Sequence, residues 1–173
     1  MSVTQIPQFL ENFNVYLNSS RLMGVSGDVT LPKFDNIGDT LSGAGILGEL
    51  ETPVTGAFKS QQLEVTFRTI DKVMFQAASK GSNALTFRGS QQINDYTHGG
   101  VVDQGVRVET RGPCKGIELG KAAPGKTTDS KLTQEILYIA IYIDDEEVLV
   151  LDKLNYIYRL MGVDQTAGIR SNI

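Results

Sequence analysis

The chain has 173 residues, 40% hydrophobic and 21% charged, which suits one folded domain with a true core and is too short for two. A formal charge of −4 argues against a phosphate-binding surface as its main business, because neutralising phosphates takes clustered Lys and Arg. With 1 Cys and 1 His the chain has no intrachain disulfide and no zinc site of the usual Cys/His kind, while 18 glycines and no tryptophan point to a turn-rich β protein.

The opening "MSVTQIPQFLENF" lacks a basic start and carries Glu11 where an export signal would be apolar, so a chain made and kept in the cytoplasm is expected. Residues 13–17, "FNVYL", alternate as a strand, turn at 18–20 and continue into "RLMGV". "DVTLPKF", residues 28–34, is extended, and Pro32 confines it to an edge or a strand end.

Residues 36–59 then form a long connection with few charges. Inside it Gly43, Gly45 and Gly48 spell G-x-G-x-x-G, and Glu64 follows near where a dinucleotide site places its ribose-binding acid. That fingerprint needs a buried strand before it and a helix of several turns after it. Here "KFDNIGDTLS" precedes it and Pro53 follows after only Glu49, Leu50, Glu51 and Thr52. Two of those four residues would repel a phosphate. The triplet is no dinucleotide cradle. Connections of this length are usually functional or disordered, and a disordered linker would not expose Ile46, Leu47, Leu50, Val54 and Phe58. The expectation is a loop that packs on another copy of the chain.

"QLEVTFRT", residues 62–69, puts Leu63, Val65 and Phe67 on one face and Glu64, Thr66 and Arg68 on the other. "TIDKVMFQAASKG", residues 69–81, predicts the one helix. Thr69 is its N-cap, Asp71 lies in the first turn and Gly81 is its stop, with an apolar stripe of Ile70, Met74 and Ala77 beside Val73 and Ala78. Leu85 and Phe87 point inward from "ALTFRGS". His98 falls in "DYTHGG" and reads as a solvated turn residue. "VVDQGVRVETRG", residues 101–112, sets Val102, Val106 and Val108 against Asp103, Arg107 and Glu109. Cys114 in "RGPCKGIEL" has only Lys115 to activate it and reads as inert. "EILYIAIYI", residues 135–143, is apolar on both sides, should be covered on both, and is too short to span a bilayer as a helix. The acids 144–147 make a hairpin turn into "VLVLDKLNYIYRL", where four carboxylates are simply solvated.

Strands in series with one helix predict a mainly β, antiparallel sandwich or barrel-like subunit with a short flanking α-helix, the whole of 1–173 forming a single domain. Several segments, in order, resemble the major tail tube proteins of contractile-tailed bacteriophages and of R-type bacteriocins. These are "NFNVYLNSSRLMGVSGDVTLPKF", "SGAGILGELE", "FRGS", "TRGPCKGIELG", "TDSKLTQEILYIAIYIDDEEVLVLD" and the ending "LMGVDQTAGIRSNI". The resemblance implies a structural protein, neither enzyme nor cofactor binder. Six copies would form a ring whose strands join one barrel around a lumen, and rings would stack into the inner tube. Its implied partners are itself, a tail sheath protein, a tape measure protein, baseplate or tube-initiator and tail terminator proteins, and DNA in unspecific transit, with no membrane. The resemblance also fits an injection machine or bacteriocin tube without DNA; a small-ligand-binding β-barrel is the remote alternative.

On this reading Gly43, Gly45, Ile46, Leu47, Leu50 and Phe58 are the expected inter-subunit contacts. Glu64, Thr66, Arg68, Asp103, Arg107 and Glu109 are lumen-lining candidates, and a net acidic lumen would keep DNA from sticking.

Overall fold

In the computed structural model residues 5–22, 25–79, 81–97 and 99–173 are described. β1 (Gln5–Leu17) folds back into β2 (Ser20–Leu22) through Asn18 and Ser19, both at positive φ as a tight hairpin requires. β3 (Val25–Thr30) ends short of Pro32. Among the described residues β4 (Asn36–Leu41) and β5 (Leu50–Phe58) pair only with each other. β6 (Gln62–Phe67) leads through α1 (Lys72–Ala77) to the long strands β7 (Asn83–Asp95) and β8 (Gly100–Gly112). β9 (Cys114–Glu118) and β10 (Ser130–Glu135) flank a turn-rich loop. β11 (Tyr138–Ile143), β12 (Glu146–Asp152), β13 (Ile157–Leu160), β14 (Val163–Asp164) and α2 (Ala167–Asn172) complete the chain.

The strands form an eight-stranded sheet in the order β14-β13-β12-β11-β8-β7-β1-β2, a four-stranded sheet β3-β6-β10-β9, and the β4-β5 hairpin. Every pairing between described strands is antiparallel. The two large sheets share one core. Leu63, Val65 and Phe67 of β6 and Leu132 of β10 meet Val15, Leu17, Leu85, Phe87, Val108, Ile139 and Leu151 from the larger sheet, while Met74 and Ala77 of α1 close one side. Gln134 of β10 ties the layers together. Its Nε2 donates to the carbonyls of Asn83 and Gly112, and its Oε1 accepts from the buried Thr110 hydroxyl at 2.7 Å.

The mainly antiparallel β architecture is therefore the expected one, and no described sheet closes into a barrel. Several local expectations are corrected. Residues 36–59 are not an open loop: most of them belong to the β4-β5 hairpin, in which residues on either side of the glycine tip, Asp39 with Thr52 and Thr40 with Glu51 among them, pair and satisfy each other's backbone groups. The run 135–143 is not one strand. At Glu135–Leu137 the chain leaves the small sheet for the large one, with Ile136 donating to Gln61 O and Leu137 to Arg111 O, while Ile136 and Ile139 stay in the shared core and Ala140 is buried on the opposite face of β11. The helix is capped by Asp71, whose carboxylate accepts from Val73 N, rather than by Thr69. It starts later than expected and leaves Ile70 exposed. A second helix, α2, lacks a buried stripe and gave no periodic signal. Val102 is half exposed instead of buried, because the first half of β8 runs in a ribbon with β7 and β1 beyond the cover of the small sheet. His98 lies outside the described residues.

Candidate assembly surfaces

The β4-β5 hairpin is an arm. Its register runs from Asn36↔Phe58 at the base to Leu41↔Leu50 near the tip. The glycine triplet forms the tip, where Gly45 and Gly48 take φ of +92 and +107, conformations that L side chains rarely adopt. Their spacing is turn chemistry. Around them Leu47 is fully exposed, and Ile46, Leu50 and Leu41 are each about half exposed, with Glu49 and Glu51 between them. Phe58, grouped with these anchors in the sequence reading, sits at the opposite end of the arm. It packs edge-on against Phe34 and Tyr158 at centroid distances of 5.7 and 5.1 Å and belongs to the margin of the chain's own core.

Beside that base lies a largely apolar groove of about 350 Å³, walled by Ile37, Val54, Phe58, Tyr156, Tyr158 and Ile169. The C-terminal segment forms its far wall and is firmly pinned. The Thr166 hydroxyl donates to Tyr156 O and accepts from Tyr158 N, and Arg170 bonds Asp164 and Tyr156 O. Arg170 and the Thr166 backbone hold the Asp164 carboxyl below the usual range. At Gly56, whose φ is +75, an added Cβ would run into Thr166, so arm and C-terminal segment meet with no room to spare.

The two polar triads lie on opposite sides of the molecule. Glu64 and Thr66 project from the outer face of the small sheet, with Arg68 just past the end of β6. Arg107 and Glu109 project from the outer face of the large sheet, as does Asp103 farther out on its ribbon. Sequence alternation identified the faces correctly but could not say that they point apart.

The large-sheet face carries a lattice the sequence reading missed. Arg107 stacks over Tyr142 at 4.1 Å, bonds Glu109 at 3.0 Å and reaches Asp145 at 3.3 Å. Arg111 lies over Tyr138, Arg88 over Tyr16, and Arg159 forks onto Glu147 with two bonds of 2.9 Å. These guanidiniums lie down on the sheet instead of standing out from it, and beneath them Ala140 and Val150 are buried although they face outward. Burial among these neighbours pushes the Tyr138 hydroxyl pKa up, with Tyr142 adding to the effect. The register pairs Arg88 with Arg107 and Arg107 with Tyr142, a cross-strand row that becomes visible only once the pairing is known.

The same sheet has an open margin. β2 covers β1 only at Val15–Leu17, so residues 5–14 of β1 have no strand on their outer side among the described residues. Pro7 and two bulges interrupt that edge, a common way of blunting it against indiscriminate pairing.

Among the described residues no three His, Cys, Asp or Glu side chains are grouped to hold a metal ion. Cys114 is free and partly exposed, its Sγ 3.6 Å from Gly116 O. Residues 120–127 spell G-x-x-x-x-G-K-T, the spacing of a phosphate-binding loop, which the sequence reading passed over. They connect β9 to β10, and a strand follows where the motif demands a helix. The match carries no site.

The model of the phage tail tube protein FII family matches residues 7–173. The chain belongs to that family. The Escherichia phage P2 "Tail tube protein" is 32% identical over 174 residues, covering 97% of this chain and 98% of that one. The Serratia phage KSP20 "Major tail tube protein" is 24% identical over 160 residues, covering 91% and 90%. As a tail tube protein the chain is a structural component of phage particles, as its resemblance implied. For such a protein the arm, the groove, the open β1 margin and the two outer faces are the surfaces of interest.

Proposed function

We propose that this tail tube protein assembles into stacked hexameric rings that form the hollow inner tube of a contractile phage tail, the conduit for DNA ejection. The observation that carries this reading is the arm: a paired, apolar-tipped hairpin that, among the described residues, meets the rest of its chain at its base. Leaving such a tip in water is unfavourable, and covering Ile46 and Leu47 alone stabilises an assembly by about 3–5 kcal/mol before ordering costs. The open margin of β1 offers backbone donors and acceptors that a neighbouring subunit can satisfy, extending the sheet around a ring.

In this tube the outer face of the large sheet lines the lumen, because that sheet carries the long uncovered stretch of β1 by which it can be extended. Asp103, Arg107 and Glu109 then face the channel, and Glu64, Thr66 and Arg68 face away from it. The Arg–Tyr–Glu lattice replaces a net acidic wall as the reason DNA slides through: its cations are already stacked or paired, so few remain to take a phosphate. The partners of the assembly are further copies of the chain, a sheath outside, a tape measure protein within, and initiator and terminator proteins at the ends. No cofactor takes part.

Negative-stain microscopy of the purified chain tests the reading and should show rings or hollow tubes. A strictly monomeric species at high concentration would overturn it. The orientation is read separately on a Cys114→Ser background. In assembled tubes Asp103→Cys should resist a bulky polymer-bearing maleimide that labels Glu64→Cys, and the reverse pattern would invert the face assignment.

A further inference from the structure

We infer that the groove at the base of the arm is the receptor for the arm tip of a neighbouring copy, Leu47 entering between Ile37, Val54, Tyr156 and Ile169. The inference rests on the self-assembly reading and specifies its contact. Three observations lead to it.

The first is that both halves lack an occupant in one chain. The tip exposes Ile46, Leu47 and Leu50, and the groove is lined mainly by apolar side chains that nothing among the described residues fills. The second is reach. β5 spans 9 residues from the tip-side Leu50 to the basal Phe58. At a rise of about 3.3 Å per residue Leu50 stands about 13 Å from Val54 on the groove's near lip and about 26 Å from Phe58 at its far end, with Leu47 beyond Leu50 on the tip side. Paired strands do not fold back over that distance, so the tip that fills a groove comes from another molecule. Tip and groove are different surfaces, which makes the contact head-to-tail, the kind that propagates into a ring or a filament.

The third is charge. Leu50 is flanked by Glu49 and Glu51, while the groove wall carries Lys153, which forms no ion pair among the described residues. Asp152, the wall's acid, already accepts from the backbone of Leu154 and Asn155 and from the Asn155 side chain. An acidic-rimmed apolar tip thus meets an apolar groove whose wall carries Lys153, a cation that feels Glu135 but forms no ion pair among the described residues. Lys153 is partly desolvated, which lowers its ammonium pKa, and an arriving carboxylate favours the charged form.

Cross-linking provides the test. On a Cys114→Ser background, Leu47→Cys and Ile169→Cys are combined in one chain, the protein is assembled, and mild oxidation is followed by non-reducing denaturing electrophoresis. A ladder of covalent dimers, trimers and larger species is expected, because each chain carries one donor and one acceptor. Rings or tubes whose cysteines stay reduced and run as monomer would overturn the groove while leaving the tube intact. Failure of the wild-type chain to form anything above monomer would overturn the assembly reading beneath it. As a second arm, Leu47→Glu should stay folded and need at least a tenfold higher concentration for half-assembly, with Lys153→Glu shifting it in the same direction by a smaller factor. Unchanged assembly of Leu47→Glu would count against the groove as cross-linking failure would.

Discussion

Gln134 shows how much of this molecule depends on single side chains. It is buried in β10 yet serves three groups on the opposite sheet, Asn83 O, Gly112 O and the Thr110 hydroxyl. Gln134→Leu keeps the volume and removes the donor to both carbonyls, leaving the Thr110 hydroxyl only Leu85 O, so it should destabilise by about 2–3 kcal/mol, read as a lower urea midpoint at unchanged slope. Gly112 is equally constrained, since an added Cβ would overlap the Glu135 carbonyl oxygen where the chain changes sheets. Asp164 has a pH consequence. Its folded pKa is depressed, chiefly by Arg170, so its clasp on the C-terminal segment is fully present above the unfolded carboxylate value. The clasp is lost as pH falls through the lower folded value. Amide exchange in α2 should therefore accelerate only under acidic conditions below the ordinary carboxylate range, and Asp164→Asn should abolish that step.

At the scale of elements, short pieces hold by their ends. α1 has only 6 residues and relies on the Asp71 cap, so Asp71→Ala should cost about 0.5–2 kcal/mol in thermal or urea unfolding. The β11-β12 hairpin turns on Asp144 and Asp145, both at positive φ, and Asp144 also accepts from Gly105 N and Gln104. The sequence placed that turn within a residue or two, because four acids between apolar runs mark it. β6 was legible residue by residue, since it is half-buried and alternates as Leu63 to Phe67 require. The arm was not legible. Gly38, Pro53 and Gly56 disguise its strands, and with neither face buried there was no alternation to read. α2 escaped for a related reason: in a short helix with no buried residue, periodicity has nothing to record.

For the molecule as a whole, function follows from what is left uncovered. Replacing Ile46 and Leu47 together with Glu should leave a folded subunit, because neither residue takes part in the core, and should abolish rings and tubes in microscopy and sedimentation. Assembly that survives this double change would remove the arm from the account.

The sequence by itself determined the class of fold, the inward positions of the half-buried strands, the absence of a dinucleotide fingerprint in working context, and the exposure of Ile46, Leu47 and Leu50. Each of these is local: alternation, turn residues and the reach of a proline act over a few neighbours. Only the tertiary structure decided that the two polar triads face opposite ways, that Phe58 belongs to the base of an arm whose tip is Leu47, and that Arg88, Arg107 and Tyr142 form one row. It also decided that a groove opens between residues more than a hundred positions apart. Those facts depend on which strand pairs with which and in what register, and register is fixed by burying two sheets against each other, a property of the whole chain.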